Sequence, residues 1–287
     1  MPADVWSLDN IFWFGASVLL WGVSICLGAV IWQLILKDLR FNLKMRSTII
    51  IYALAQFGKY LPGNVAHHVG RVVLAKRAGV SARATAHSML IEFLWGVSAA
   101  SSVALLGLAY FKSSDNAISP IGLVLVSLLA MLLPWAGVRI VNAFLPSFTV
   151  RLTGGGPIVV PRLRTMLLVS LAFVTSFFIM GTILNLQARF IFGATDGRLL
   201  MLSGIFAWSW IAGYLTPGAP AGLGVREVVL VSLLTPIYGE SIAVGLSLSL
   251  RLATTLGDGV CFLLALLAQR LLKKHLIIAG SIDEDVV

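Results

Sequence analysis

Cationic and polar side chains interrupt an otherwise apolar chain at residues 58–74, GKYLPGNVAHHVGRVVL. Four side chains in this segment can carry positive charge, namely Lys59, His67, His68 and Arg71. Arginine presents a planar fork of donors that binds phosphate in a bidentate way, so these residue types favour recognition of an anion. His67 and Arg71 are four positions apart and share one face if the segment is helical.

The same layout returns 154 or 155 residues later. Residues 213–218, GYLTPG, echo residues 58–63, GKYLPG, with one inserted threonine. In each copy an arginine, Arg71 or Arg226, follows the proline of the motif by nine residues. Two broken, charged segments of matching layout in a hydrophobic chain are typical of an internally repeated membrane transporter.

Both motifs predict helices that are broken inside the membrane. After the first break, Asn64 is a favourable N-cap, and after the second, Pro220 suits a first helical turn. Gly222 and Gly224 let the backbone approach a ligand closely. Because a helix N-terminus carries unpaired N–H groups and partial positive charge, two anion-receptive helix ends are expected. The predicted helix-break residues are Pro62, Gly63, Asn64, Pro217, Gly218, Pro220, Gly222 and Gly224.

Eight charged or imidazole side chains are the predicted substrate-binding residues. They are Arg71, Arg226, His67, His68, Glu92, Glu227, Arg251 and Asp258. The two arginines of the motifs would bind phosphate, and the three carboxylates would balance the arginines when the site is empty, since unpaired intramembrane charge is costly. No metal ligand is predicted.

A structural alternative exists for each of these residues. Arg71 can pair with Glu92, and Arg226 or Arg251 can pair with Glu227 or Asp258, as bridges that only hold helices together. The histidines are then satisfied polar residues of a hydrated hairpin, and Lys59 extends its ammonium group toward water. Glycine and proline can serve kinks and close packing without a ligand.

Composition assigns the chain to an all-α, polytopic membrane class. Hydrophobic residues make up 59% of the sequence and charged residues 11%, and the mean hydropathy is +0.96. Soluble proteins carry about 25% charged residues. The net charge is +9, but no basic soluble domain remains outside the apolar spans, so nucleic acid is not an expected partner. The two cysteines fall in apolar spans and predict no disulfide.

Five apolar stretches are long enough to span a bilayer: 11–36, 84–111, 120–137, 165–192 and 240–272. The stretch 240–272 can also be interpreted as two short spans around Asp258. Two shorter pieces predict re-entrant hairpins at 47–75 and 199–237. The chain is therefore expected to form one transmembrane domain over 1–287, with a disordered acidic tail at 276–287.

The order of these pieces predicts two inverted repeats. Each repeat, 11–111 or 165–272, contains a span, a hairpin and a span, and the single span 120–137 separates them. One intervening crossing reverses the starting side, so the hairpins dip from opposite faces. Basic residues after the first span place the N-terminus outside and the C-terminus in the cytoplasm of a cell (inner or plasma) membrane.

The motif residues also resemble a known family. The resemblance rests on KYLPG at 59–63, Gly70-Arg71, AGVS at 78–81 with Glu92 downstream, and PAGLGVRE at 220–227. Together these are similar to the transmembrane region of lysylphosphatidylglycerol synthases, the flippase part of the multiple peptide resistance factor and its stand-alone relatives. The likeness covers most of 11–272.

The resemblance implies a helical membrane protein that moves phospholipids or lipid-linked intermediates between leaflets. It places Arg71, Glu92, Arg226 and Glu227 on polar intramembrane positions. An acyltransferase domain is not part of the matched region, so aminoacyl transfer is not expected, and the additional basic, apolar segment with which many relatives begin is not matched. His67 and His68 do not match the general pattern.

The expected function is therefore transport of an anionic phospholipid or a polyprenyl-phosphate intermediate between leaflets, without enzymatic activity or cofactor. A lipid-modifying enzyme, such as a phosphatase or glycosyltransferase using His67, His68 and Asp258, is the alternative. Another is a non-transporting partner of a glycosyltransferase or lipid-synthesising enzyme. No metalloprotease, nucleophile-elbow or P-loop motif occurs in the sequence.

The charge asymmetry predicts the orientation of the chain. Single cysteines introduced at Asp9, Asp115 or Asp196 should react with a membrane-impermeant maleimide added outside intact cells, and cysteines at Lys44, Arg83 or Arg162 should not. Labelling is read in a variant in which both native cysteines are replaced by serine. External labelling at both Lys44 and Arg83 would reverse the orientation, and labelling at only one of them would turn 47–75 into a true crossing.

Overall fold

A computed structural model describes residues 8–61, 65–111, 120–153, 156–216 and 222–280. These residues form helices and short connections, and no strand occurs among them. The α-helices of the described ranges are α1 Leu8–Asp38, α2 Met45–Gln56, α3 Ala66–Arg77, α4 Ala82–Phe111, α5 Pro120–Phe144, α6 Pro146–Thr153, α7 Leu163–Leu186, α8 Leu199–Leu215, α9 Val225–Tyr238 and α10 Glu240–Gly280. The predicted all-α class is confirmed.

Five of these helices are long and apolar enough to cross a bilayer. Their candidate membrane spans are Leu8–Asp38, Ala82–Gly107, Val124–Phe144, Leu163–Ile191 and Glu240–Leu271. They coincide with the five spans predicted from sequence, and the chain is a multi-pass membrane protein. The last span is one continuous helix rather than two short ones.

Four shorter helices, α2, α3, α8 and α9, pack against these long helices. Both α2 and α3 have 12 residues, which extend over about 18 Å each, against about 30 Å for a hydrocarbon core. A 3₁₀ turn, Phe57–Tyr60, prolongs α2 toward the first motif. In the second motif, α8 has 17 residues and α9 has 14.

Several boundaries differ from the sequence predictions. The span predicted at 120–137 continues to Phe144, because residues 138–144, VRIVNAF, are still largely apolar. The stretch that follows contains α6, with a proline at its first position, where a missing N–H costs nothing. The predicted disordered tail began at 276, but α10 runs to Gly280.

The helix starts after the two breaks also differ. The first turn of α3 begins at Ala66 with Val65 in the N-cap position and no side-chain cap, so the prediction that Asn64 caps this helix is wrong. The first turn of α9 begins at Val225, which excludes Pro220 from it. Pro62, Gly63, Asn64, Pro217, Gly218 and Pro220 themselves lie outside the described residues.

The helices on either side of α5 and α6 pack in corresponding pairs. Helices α1 to α4 form one set and α7 to α10 the other, and in both sets each helix contacts the next one along the chain. The contacts between the sets also correspond. The last helix of the first set, α4, packs on α7 and α8, and the last helix of the second set, α10, packs on α1 and α2. The contact between α1 and α7 joins the first members of both sets.

Small residues bring α4 and α8 close together at the centre of the main core. A Cβ atom added to Gly107 would lie 2.6 Å from the Cα of Gly204, and one added to Gly204 would lie 2.6 Å from the Cα of Gly107. Ala99, Ala100 and other buried residues of α4 continue this contact. Close backbone approach at small residues is a common way for helices to associate in lipid.

The close contact between α4 and α8 predicts that one methyl group added at this contact destabilises the protein. Gly204→Ala should lower the stability of the detergent-solubilised protein by about 1–3 kcal/mol, because the clash involves backbone atoms that no rotamer change can move. The control is Gly137→Ala in α5, where an added Cβ meets nothing within 4 Å and alanine should be neutral or favourable by up to about 1 kcal/mol. Thermal unfolding measures both, and equal stability of the two variants would contradict the packing.

Candidate functional site

A cavity of about 220 Å³ lies between the two sets of helices. All eight helices of the two sets contribute to its lining, together with the 3₁₀ turn. Six of the eight residues predicted to bind substrate line it: Arg71, Arg226, His67, His68, Glu92 and Arg251. The other two, Glu227 and Asp258, contact residues of the lining through salt bridges.

Arg71 is buried and paired with Glu92. Its side chain reaches from α3 to α4, where Nη1 lies 2.5 Å from Oε2 of Glu92. The hydroxyl of Tyr52 donates to the other carboxylate oxygen at 3.2 Å, and its ring lies 4.4 Å from the guanidinium carbon. This is the pair that the structural alternative predicted, yet Nε of Arg71 is buried without a hydrogen-bond partner in the described part of the chain.

Asp258 is held by three side chains from the first set of helices. Lys59 Nζ lies 2.7 Å from its carboxylate, the Tyr60 hydroxyl donates at 2.5 Å, and the Trp21 indole N–H donates at 3.0 Å. Asp258 is only 2% exposed. The expectation that Lys59 extends toward water is therefore wrong, because a buried carboxylate offers its ammonium a partner of opposite charge.

Glu227 performs two tasks at the start of α9. It accepts a hydrogen bond from the backbone N–H of Gly224 at 2.8 Å, which satisfies one donor of the helix end. Its other oxygen lies 3.2 Å from Arg251 Nη1 on α10. The positive φ angles of Gly222 (71°) and Gly224 (85°) allow the tight backbone path into this helix. These two predicted helix-break glycines thus stand where the chain turns.

Arg226 lies in the cavity wall, and none of the carboxylates that the structure describes forms a salt bridge with it. Its guanidinium carbon is 4.6 Å from the ring centroid of Phe206. Gly213 makes room for it, since a Cβ there would lie 3.0 Å from Cβ of Arg226. The structural alternative paired Arg226 or Arg251 with Glu227 or Asp258. Arg251 does pair with Glu227, while Lys59 holds Asp258.

The two histidine rings lie against each other beside Arg71, tilted by 39°. Their ring centroids are 3.8 Å apart, and the Nδ1 atoms of both are buried with no hydrogen-bond partner among the described residues. His67 and Arg71 are among the buried residues of α3, as the spacing of four predicts.

Aromatic rings line the cavity beside these charges, and sequence analysis did not identify them as part of the site. Trp210 stacks on Tyr214 with centroids 4.7 Å apart, and Tyr214 stacks on Phe93 at 5.5 Å. Phe177 meets Trp210 edge-on at 5.6 Å. Trp210 and Tyr214 are four positions apart on α8, a spacing that places two side chains on one face of a helix. Their aromatic partners, however, come from helices that are distant in sequence.

The arrangement suits an anion better than a metal ion or a cation. Four fixed cations, Lys59, Arg71, Arg226 and Arg251, face three carboxylates, Glu92, Glu227 and Asp258. One positive charge is thus in excess within an apolar, aromatic enclosure. Within the described ranges no group of three His, Cys, Asp or Glu residues is placed to hold a metal ion.

The family comparison agrees with this geometry. Residues 1–260 match the family described as lysylphosphatidylglycerol synthase TM region. The chain belongs to this family. The resemblance noted from the short motifs is confirmed over nearly the whole chain, and membership in the lysylphosphatidylglycerol synthase TM family supports a function related to membrane lipids. No curated protein matches the chain.

The buried pair of Arg71 and Glu92 predicts that replacing one partner destabilises the protein much more than replacing both. Glu92→Gln should destabilise the protein by about 3–5 kcal/mol, because it leaves the Arg71 charge buried and unpaired. Arg71→Met combined with Glu92→Leu should recover much of that loss, since no buried charge remains.

The control for this pair is Glu240→Gln, which changes an exposed acid. Thermal unfolding in detergent compares the four proteins. A single variant Glu92→Gln as stable as Glu240→Gln would show that the pair makes no structural contribution.

Proposed function

We propose that the protein is a flippase-like membrane lipid transporter. Its substrate is an anionic phospholipid or a lipid-linked polyprenyl-phosphate intermediate, which it moves between leaflets. The observation that carries this proposal is Arg226, a guanidinium without a carboxylate partner among the described residues, facing a cavity inside a membrane protein. A charge inside a membrane protein that faces a cavity marks a substrate site, and an anion in this cavity would pair with Arg226.

The proposed architecture is a pair of inverted repeats. The matching packing of α1–α4 and α7–α10 supports a pseudo-twofold relation between them. The short helices of each set suit re-entrant hairpins, so that α1, α4 and α5 give three crossings before α7. An odd number of crossings reverses the second set relative to the first, which is the arrangement of many secondary transporters.

The charge pairs divide between the two sets in a way that suits alternating access. Arg71 pairs with Glu92 inside the first set, and Arg251 pairs with Glu227 inside the second. The pair of Lys59 and Asp258 instead joins the two sets. In our mechanism this third pair closes one side of the cavity and breaks when that side opens.

The head group would enter the cavity while the hydrocarbon tails stay in lipid. Arg226 supplies the first phosphate contact because no salt bridge has to break before it can bind. Arg71 supplies the second when phosphate replaces Glu92, and its unpartnered Nε offers a further donor. His67 and His68 border the same space and can hydrogen-bond uncharged parts of the head group.

An enzymatic function is the less favoured reading. A phosphatase or glycosyltransferase would use Asp258 with the histidines, but Asp258 accepts its hydrogen bonds from Lys59, Tyr60 and Trp21. We therefore propose that the protein changes the position of a lipid and not its covalent structure. A transporter moves a labelled lipid between leaflets without changing its mass, whereas an enzyme changes the mass. A non-transporting partner of a glycosyltransferase does neither when it is tested alone.

The test of the proposal is replacement of Arg226 by lysine. Arg226→Lys keeps the charge but removes the planar fork, so it should fold normally and lose most lipid movement in proteoliposomes. Leaflet exchange of a labelled anionic phospholipid and of a polyprenyl-phosphate lipid is measured beside thermal stability. The matched control is Arg83→Lys at an exposed position of α4, which should retain full activity.

The outcome shows whether Arg226 binds the phosphate of the lipid or only supports the fold. A well-folded Arg226→Lys protein with transport equal to that of Arg83→Lys would remove the phosphate-binding role. The companion variant Arg71→Lys should also lose transport. Because Arg71 is held by Glu92, that variant is interpreted only together with its measured stability.

A further inference from the structure

In the described part of the chain, two side chains hold Glu92, one at each carboxylate oxygen. Arg71 Nη1 lies 2.5 Å from Oε2, and the hydroxyl of Tyr52 donates to Oε1 at 3.2 Å. Glu92 lines the cavity, and its side chain is 15% exposed. If Arg71 turns to another anion, Oε2 therefore loses its partner while Tyr52 still holds Oε1.

The surroundings of Arg71 and Arg226 match except for this carboxylate. The guanidinium carbon of Arg71 lies 4.4 Å from the ring centroid of Tyr52, and that of Arg226 lies 4.6 Å from the ring centroid of Phe206. The two rings are 154 residues apart in sequence and the two arginines 155, so the repeated spacing relates both pairs. Only Arg71 forms a salt bridge with a described carboxylate. A phosphate that reaches Arg71 therefore has to displace Glu92.

This displacement brings two anions to one cation. A phosphate on Arg71 and the carboxylate of Glu92 would share one guanidinium in a wall of buried side chains, where like charges repel strongly. A carboxylate without a counter-ion inside a membrane protein is itself unfavourable. A proton on Oε2 removes both effects, because it neutralises Glu92 and gives it an O–H that can donate to the phosphate. Oε1 can still accept the hydrogen bond from Tyr52.

We propose that Glu92 is a proton-binding site that couples lipid movement to a proton. The inference rests on the proposed function and adds the coupling ion and its site. When phosphate binds Arg71, Glu92 takes one proton from water at Oε2. When the phosphate leaves on the other side of the membrane, Glu92 releases that proton to water there and pairs with Arg71 again. One proton and one lipid head group thus move in the same direction.

The titratable and charged groups that face Glu92 come from three other helices. They are Tyr52 of α2, His67, His68 and Arg71 of α3, and Tyr214 of α8. The cavity also contains the cations Lys59, Arg226 and Arg251. Helices α1, α5, α6 and α7 pack on α4 as well, but none of their described residues adds a titratable side chain to the lining.

Within this set, Glu92 is the group whose counter-ion the phosphate takes. On α4 itself, His87 accepts a hydrogen bond from the backbone N–H of Val159 and is not part of the lining. The carboxylates of Glu227 and Asp258 keep Arg251 and Lys59 as partners when phosphate binds Arg71. The charge of Glu92 is therefore the one that lipid binding changes.

Lipid accumulation driven by a pH gradient tests the inference. Phosphatidylcholine vesicles contain the unaltered protein and a trace of radiolabelled phosphatidylglycerol, whose outer-leaflet fraction is read with an added phospholipase. With an acidic medium outside, one proton per monoanionic lipid predicts an inner-to-outer ratio of about tenfold for each pH unit. A pH-sensitive dye inside the vesicles should report proton entry that follows lipid entry. Protein-free vesicles give the background, and a labelled polyprenyl phosphate with an added phosphatase is measured in parallel.

Replacing Glu92 assigns the coupling to this residue. Glu92→Gln keeps the side chain uncharged throughout, so in folded protein a gradient of one pH unit should no longer concentrate the lipid. The ratio should fall about tenfold, to that of protein-free vesicles. The control Glu240→Gln removes an exposed acid and should keep the full ratio.

Infrared difference spectroscopy keeps the test valid if Glu92→Gln unfolds because Arg71 is left unpaired. A diether phosphatidylglycerol, which has no ester carbonyl, is added to the detergent-solubilised unaltered protein. Its binding should produce the C=O band of a protonated carboxylic acid, and this band should shift in heavy water. Glu92→Asp keeps a carboxylate beside Arg71 and should change the frequency of the band, whereas Glu240→Gln should not.

The outcomes distinguish this inference from the proposed function. If the unaltered protein moves neither labelled lipid, the proposed function itself is overturned. Lipid movement that ignores the pH gradient and leaves the internal dye unchanged would overturn the proton coupling alone, as would lipid binding without a carboxylic acid band. A gradient response that persists in folded Glu92→Gln, or a band that Glu92→Asp leaves in place, would overturn the assignment to Glu92.

Discussion

The cost of charge inside a membrane is the constraint on which the rest of this structure depends. A charged group in the hydrocarbon region must be paired, hydrated or functional. Here three carboxylates each hold one cation: Glu92 holds Arg71, Glu227 holds Arg251, and Asp258 holds Lys59. These pairs fix the mutual positions of five elements and leave Arg226 facing the cavity.

The pairs are supported by aromatic and small residues that the helices bring to the same place. Tyr52 and Tyr60 donate hydrogen bonds to two of the carboxylates and complete their shells. Gly213 clears space for Arg226, and the contact of Gly107 with Gly204 holds α4 against α8. The charged site therefore depends on packing some distance away, because a shift of α4 would move both Glu92 and Phe93.

The sequence predicted the features that follow from local pattern. Apolar length located the five spans, and the repeated break with an arginine nine residues later located Arg71 and Arg226 in one cavity. The resemblance carried by the motifs is confirmed by family membership. These predictions are correct because the length of an apolar stretch and the spacing of residues along a helix can both be read from a short piece of sequence.

The partners of each charge were not encoded locally. Lys59 and Asp258 are 199 residues apart, and no spacing rule connects the 3₁₀ turn to the middle of α10. Capping at Asn64 was predicted from propensity, but α3 begins at Ala66 with Val65 in the N-cap position. The aromatic wall of Phe93, Trp210 and Tyr214 also depends on how distant helices cross.

The central claim is that an anionic head group binds at Arg226, and native mass spectrometry of the purified protein tests it most directly. The unaltered protein should retain an anionic lipid through gentle detergent exchange, and the well-folded Arg226→Lys variant should release it while keeping any zwitterionic lipid bound at the surface. Equal retention of the same anionic lipid by both proteins would contradict the account.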